Sequence, residues 1–267
     1  MKIKIVKPKI WNFQVLKGKK AWEEVVYSAR MSGVPSQMKA KEIFEMIVKN
    51  DYTSAVEHIV IKFDLQMTKG CAPEFLEHRI VSHTGFSTRY REAGESVYEI
   101  ILPWHLLKRK KEKEIFLERV KENLNLYENF LKKGFPRESA RYILPFCQAV
   151  GIYHVTINLR SLLNLLSLRL CLRASPEFRC LAGQIYFQLI KKLPIMRGLV
   201  GCRGFMRGCC PEDKAREKIN CPFKGKKSKL YFPTIPEMRK GQISKFNLKK
   251  VLQIQERLYL KWAQWKG

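Results

Sequence analysis

The chain opens with KIKIV over residues 2–6, an alternation of charged and apolar side chains that predicts a short edge strand. Helical spacing then takes over. Residues 20–30 and 37–49 repeat as helices, and in the second Ile43, Phe44, Met46 and Ile47 fall on one face. Residues 55–66 (AVEHIVIKFDLQ) return to alternation with β-branched residues and predict a strand. A short helix around Pro73 is expected over 72–80, and a strand over 96–101. Residues 110–133 predict a long charged helix stopped by Gly134 and Pro136. A second helix is expected from Pro136, with Glu138 near its start, to about Cys147. Residues 151–158 (GIYHVTIN) are β-rich, and 159–192 predict two helices, the second with Pro176 in its first turn. After Pro194 the period fades. Residues 197–229 are rich in Gly, Cys and Lys, and 245–265 read as a basic amphipathic helix. No internal repeat is present.

At 267 residues the chain can bury a core without staples. A hydrophobic fraction of 46%, with 15 Phe, 10 Tyr and 5 Trp, excludes general disorder. No window approaches 18 uncharged apolar residues, which excludes a membrane-spanning helix. The basic N-terminus lacks the apolar stretch of a secretory signal. The expected location is therefore the cytoplasm, where the eight Cys are thiols or metal ligands rather than a disulfide framework.

Charge adds a direction. Lys and Arg number 51 against 24 Asp and Glu, a net +27, which points to an anionic partner: nucleic acid, a membrane surface or a phosphorylated small molecule. Residues 191–267 alone hold 20 Lys and Arg against 5 Asp and Glu, so much of the excess sits in a tail. No GxGxxG follows a strand, and neither a P-loop nor HExxH occurs.

Two segments concentrate polar chemistry. The first, 77-EHRIVSHTGFSTRY-90, packs His78, Arg79, Ser82, Ser87, Arg89 and Tyr90 into 14 residues. Arg forks bind phosphate in a bidentate manner and serine hydroxyls complete such a cradle. The second runs from 141-RYILP-145 to 158-NLRSLLNLLSLRLCLR-173. On a helix Arg160, Asn164 and Ser167 share one stripe in an otherwise Leu-rich segment. Polar side chains there are costly to bury unless something pairs with them, and a charged ligand would supply the partner.

These segments resemble the flavin-dependent thymidylate synthases. That family carries RHR, seven residues, then Ser continuing into RY, matched by His78-Arg79, Ser87, Arg89 and Tyr90. Its A-R-hydrophobic-hydrophobic-L-P turn is matched by 140-ARYILP-145. Its N-x-R-S-L-x-N helix is matched by Asn158, Arg160, Ser161, Leu162 and Asn164, continuing to Leu168 and Arg169. The ARxS and EHIxxxF elements are matched by 29-ARMS-32 and 57-EHIVIKF-63. Order and spacing hold over roughly residues 20–192.

The resemblance implies an α/β (α+β) fold, a mixed sheet flanked by helices. It implies a catalytic domain over 1–194 and a basic, Cys-containing extension over 195–267. It also implies a homotetramer with FAD at subunit interfaces. The implied reaction is reductive methylation of dUMP to dTMP, with methylenetetrahydrofolate as carbon donor and NADPH as reductant. Carried over by position, Ser32, Glu57, His78, Arg79, Asn158, Arg160 and Asn164 would face FAD. Ser87, Arg89, Arg141, Arg169 and Glu74 would face dUMP, with Arg169 and Ser87 in the catalytic set and Arg169 at the uracil, where a cation stabilises developing charge. Action on another nucleotide, or an inactive nucleotide- or nucleic-acid-binding member, is the alternative. Nucleic acid is the weaker partner reading, since no RNA-binding motif or aromatic stacking platform is visible.

Departures mark this chain. Glu77 stands where the family has the first Arg of RHR, Glu74 replaces a Gln, Thr84-Gly85 replace Asn-Glu, and AQxE becomes 174-ASPE-177. Cys147 in PFCQ suggests a nucleophilic thiol, but its apolar neighbourhood favours an inert buried Cys. His154 reads as a structural histidine, and His83, in the motif spacer, as one that either lines the site or does not. Cys202, Cys209, Cys210 and Cys221 lie within 20 residues and could hold zinc, but their spacing lacks C-x2-C pairs, so zinc is the weaker reading. For the terminal helix, packing on the core is favoured over a membrane or RNA surface.

Overall fold

The computed structural model describes residues 2–52, 54–90, 97–207 and 248–267. Among these residues six strands form two sheets. Strand β1 (Lys2–Val6) pairs in parallel with β5 (Val97–Ile101). The other four, β2 (Lys9–Val15), β3 (Val60–Met67), β4 (Val81–Gly85) and β6 (Gly151–Asn158), form an antiparallel sheet in the order β2-β3-β6-β4. The two sheets are joined by Gln66, whose amide donates to Glu99 at 3.0 Å and to the Ala149 carbonyl at 2.9 Å. Glu99 also takes Lys4 at 2.8 Å, and that bond holds its carboxyl below the usual range.

Helices α1 (Trp22–Met31), α2 (Ala40–Lys49), α6 (Leu159–Arg169) and α7 (Pro176–Lys192) build the main core with this sheet. The alternation of β3 places Ile61, Phe63 and Leu65 in that core, and Phe63 stacks on Phe13 with centroids 5.8 Å apart. Burying a ring of this kind contributes roughly 1.5–3 kcal/mol. A second core forms where Tyr98, Ile100 and Leu102 meet Val120, Leu124 and Tyr127 of α4 (Lys110–Lys132).

The remaining helices among the described residues are short α3 (Ala72–Leu76), α5 (Arg137–Ala140) and α8 (Arg203–Arg207), and α9 (Leu248–Ala263). Helix α9 packs on α7, as the terminal amphipathic pattern favoured: Tyr259 and Trp262 belong to the main core. Gly183 permits the approach, since a Cβ there would lie 2.8 Å from the Tyr259 carbonyl oxygen. Among the described residues no helix is long and apolar enough to cross a membrane.

The expected α/β architecture is present, with corrections in four elements. Residues 55–58 are a short 3-10 turn, and the strand begins at Val60. Helix α3 stops at Leu76, and Ile80 takes a positive φ of 58° before β4 begins. The helix expected to Cys147 is one α turn and one 3-10 turn, Arg141–Ile143. Pro145 forces Leu144 into extended backbone and ends it. Strand β2 escapes the sequence pattern because its ladder shifts register between Trp11 and Gln14, around Asn12 at φ 51°, which breaks the alternation.

Candidate functional site

Helix α6 organises the site. Asn158 caps it, its side chain accepting from the Ser161 N–H at 2.8 Å. Leu159, Leu162, Leu163, Leu165 and Leu166 are buried, which leaves Arg160 and Asn164 on the exposed face. Arg160 forms an ion pair with Glu57, in the 3-10 turn ahead of β3. Three of the residues expected to face FAD, Glu57, Asn158 and Arg160, therefore lie at one end of α6. Ser32 follows the last turn of α1, its hydroxyl donating to the Ser28 carbonyl at 3.2 Å.

The other end of α6 carries Arg169, whose side chain keeps only 18% of its surface exposed. Its Nη1 donates to Glu74 Oε2 at 3.2 Å, its Nη2 to the Glu74 carbonyl at 3.2 Å and its Nε to His78 Nε2 at 3.0 Å. The guanidinium carbon stands 4.9 Å from the Phe178 ring centroid. Burial, and then the Arg169 charge, lower the His78 pKa to about 4. His78 is thus a neutral acceptor at ordinary pH. Ser175 caps α7, accepting from the Phe178 N–H at 3.3 Å, and its hydroxyl donates to Glu74 Oε2 at 3.1 Å.

Next along α7, Glu177 accepts from the Thr68 N–H at 2.5 Å and the Thr68 hydroxyl at 2.8 Å. Burial raises its pKa against these bonds, and the neighbouring Glu74 charge adds to the rise. Cys71, the residue before α3, is pushed far up by burial and by both carboxylates. A cleft of about 660 Å³ opens beside this group, with Glu74, Ser175, Glu177, Tyr142, Phe146 and Trp265 in its walls. Sequence reasoning flagged ASPE only as a departure and did not assign Ser175, Glu177 or Phe178 to the site.

The segment 77–90 divides. Glu77 and Arg79 are exposed beyond α3, and β4 occupies its middle. Ser87 makes a tight turn, its hydroxyl accepting from the Arg89 N–H at 3.3 Å. Arg89 stands 3.5 Å from Glu138, and Arg137 donates to the Tyr90 carbonyl at 3.1 Å. Glu138 lies one turn before Arg141, so Ser87, Arg89 and Arg141 gather around α5. No hydrogen bond or ion pair among the described residues joins that group to Arg169. His83 packs with Phe75 and Tyr153 at centroid distances of 5.8 and 5.6 Å. The Thr84-Gly85 departure has a steric reason: a Cβ at Gly85 would lie 2.5 Å from the Tyr153 ring.

Two sequence readings resolve here. Cys147 is buried, and its thiol is pushed up to about 11, so it stays protonated. His154 is held by Asp64 at 2.6 Å, and Asp64 also accepts from Asn12. Of the possible zinc ligands, Cys202 is buried beside Tyr259, whose hydroxyl accepts from its N–H at 3.1 Å. Cys209, Cys210 and Cys221 lie outside the described residues.

A family model described as thymidylate synthase complementing protein (Thy1) matches residues 15–195. The flavin-dependent thymidylate synthase of Saccharolobus solfataricus is 34% identical over 148 residues, 55% of this chain and 56% of that protein. Its namesake from Pyrococcus furiosus is 31% identical over 190 residues, 64% of this chain and 78% of that protein. The match thus spans little more than half of some relatives' length. Among solved structures, the UMP/dUMP methylase PolB from Streptomyces cacaoi, bound with 5-Br dUMP, superimposes with a TM-score of 0.60 at 19% identity. That likeness covers 73% of this chain and 94% of the other, and it concerns the fold. With most of its length matched, including both ends of α6 and the Arg141 turn, this chain belongs to the thymidylate synthase complementing protein family.

Proposed function

We propose that the protein is an FAD-dependent thymidylate synthase that methylates dUMP to dTMP, with methylenetetrahydrofolate as carbon donor and NADPH as reductant. The observation that carries this reading is the placement of two cations on one helix. Arg160 and Arg169 are nine residues apart, about 14 Å along the axis. That spacing suits two ligands that meet at their reacting rings.

The donor set at the start of α6 fits FAD. Arg160 is half exposed and already oriented by Glu57, the helix N-terminus favours negative charge, and Arg79 is exposed two residues before Val81, which pairs with Ile157 at the end of β6. Asn164 offers an amide on the same exposed face to a flavin ring. When bound, the flavin supplies the hydride that the methylation needs. The chain's own residues bind and orient. Arg89, Arg141 and Ser87 suit the nucleotide phosphate. Arg169 suits the pyrimidine, where a fixed cation steadies charge arising on the ring.

The proposed dUMP set falls into two groups in one chain, one around α5 and one around Arg169. That division favours sites completed between copies, as in a homotetramer. Exposed Ile80, Tyr90, Tyr142 and Phe146 near these groups suit such contacts. The family match ends at residue 195, which supports a catalytic domain over 1–194 and an extension over 195–267 whose last helix packs back on α7.

The test is dTMP formation by purified protein given FAD, dUMP, methylenetetrahydrofolate and NADPH. The reading requires product that depends on each of the four. Failure to bind FAD, or no dTMP, removes it.

A further inference from the structure

Arg169 ends α6, and His78 and Glu74, 91 and 95 positions away, close around it. A guanidinium has five N–H groups, and here three are committed: one to the Glu74 carboxylate, one to the Glu74 carbonyl and one to His78. The Phe178 ring lies under the group at 4.9 Å. The carboxylate oxygen that takes Arg169 also takes the Ser175 hydroxyl, and Ser175 is itself fixed as the cap of α7. Glu74 is thus anchored from α7 while it holds a cation from α6. Its own backbone in α3 supplies a second acceptor to the same guanidinium.

We infer that Glu74 is a positioning residue for Arg169: it fixes the plane of the guanidinium before any ligand arrives and leaves the remaining N–H groups to the pyrimidine. The inference rests on the reading that Arg169 meets that ring. The physical reason is entropic and electrostatic. A long Arg side chain is mobile, and a planar fork that is already held loses less freedom when it binds. A cation fixed in place stabilises a transition state without reorganising at the moment of reaction. Positioning of this kind acts on kcat more than on KM.

The test uses the full-length wild type, E74A and E74Q, with melting curves to show that each is folded. Phenylglyoxal modification followed by peptide mapping gives the reaction rate of Arg169 without flavin or nucleotide. In E74A that rate rises at least fivefold, and in E74Q, whose amide oxygen still accepts, it stays within twofold of wild type. Equal rates in wild type and E74A overturn the inference. Should E74A not fold, Glu74→Asp shortens the reach by one methylene, and an unchanged rate there overturns it equally. In turnover, E74A loses at least tenfold in kcat while KM for dUMP changes less than threefold, and E74Q recovers most of the loss. If the wild type makes dTMP and E74A keeps its kcat, the positioning role fails while the function stands. If the wild type makes no dTMP, the function fails and takes this role with it.

Discussion

Arg160 and Glu57 meet across the junction of α6 and the 3-10 turn before β3, 103 positions apart in the chain. Both side chains remain well exposed, 50% and 38%, and a pair in that setting adds about 0–1 kcal/mol to stability. Its value is therefore orientation. Glu57 keeps Arg160 over the start of α6, where an anion is also favoured by the helix.

The first prediction follows from that pair. Arg160→Ala removes a charge-assisted contact worth roughly 1.5–3 kcal/mol, so FAD affinity falls about 10- to 150-fold while the melting temperature hardly moves. Flavin fluorescence titration measures it. Unchanged affinity would place the cofactor elsewhere.

His78 gives a pH dependence with a definite sign. Its folded pKa, about 4, lies below its ordinary value of 6.5. Between those values the unfolded chain binds the proton and the folded one does not. The associated stability is present above pH 6.5 and is lost as pH falls toward 4. Denaturant midpoints of wild type and His78→Asn, compared over that window, should converge on acidification. Parallel curves would contradict the shift.

Gly85→Ala sets a methyl group against the Tyr153 ring. Overpacking of this kind costs about 1–3 kcal/mol. Because β4, among the described residues, pairs with β6 alone, the loss should also loosen the Ser87 turn that follows it. The cost should shrink in a Tyr153→Ala background, and a double-mutant cycle by urea unfolding tests this.

Glu177→Ala strips two bonds from Thr68. Leaving a buried N–H and hydroxyl unpaired costs roughly 2–4 kcal/mol, a drop of about 4–16 °C in melting temperature. Calorimetry reads it directly. A drop of a degree or less would mean that water replaces the carboxylate.

Cys147→Ala should keep at least half of any dTMP-forming activity, because its thiol is buried and protonated. Loss of turnover in a protein that still melts normally would restore the nucleophile reading of PFCQ.

Much of this molecule is legible in the chain. The Leu-rich period of α6 fixes which of its residues stay exposed, and Asn158 is recognisable as its cap, because both are local properties of a helix. The paired segments 77–90 and 140–173 announce phosphate chemistry by residue type alone. Other features have no local trace. Strand β2 is hidden by the bulge at Asn12, and β4 by an exposed, polar edge position that carries no alternation. The helix expected beyond Ile143 yields to Pro145. Above all, sequence placed Glu74 and Glu77 together as anomalies, and only the tertiary structure separates them. Glu77 is left exposed, while Glu74 and His78 hold Arg169, and Ser175, the cap of α7, holds Glu74. A period records what one segment does with its own backbone. A cage built from side chains about 90 to 100 positions apart exists only once the core has brought α3, α6 and α7 together.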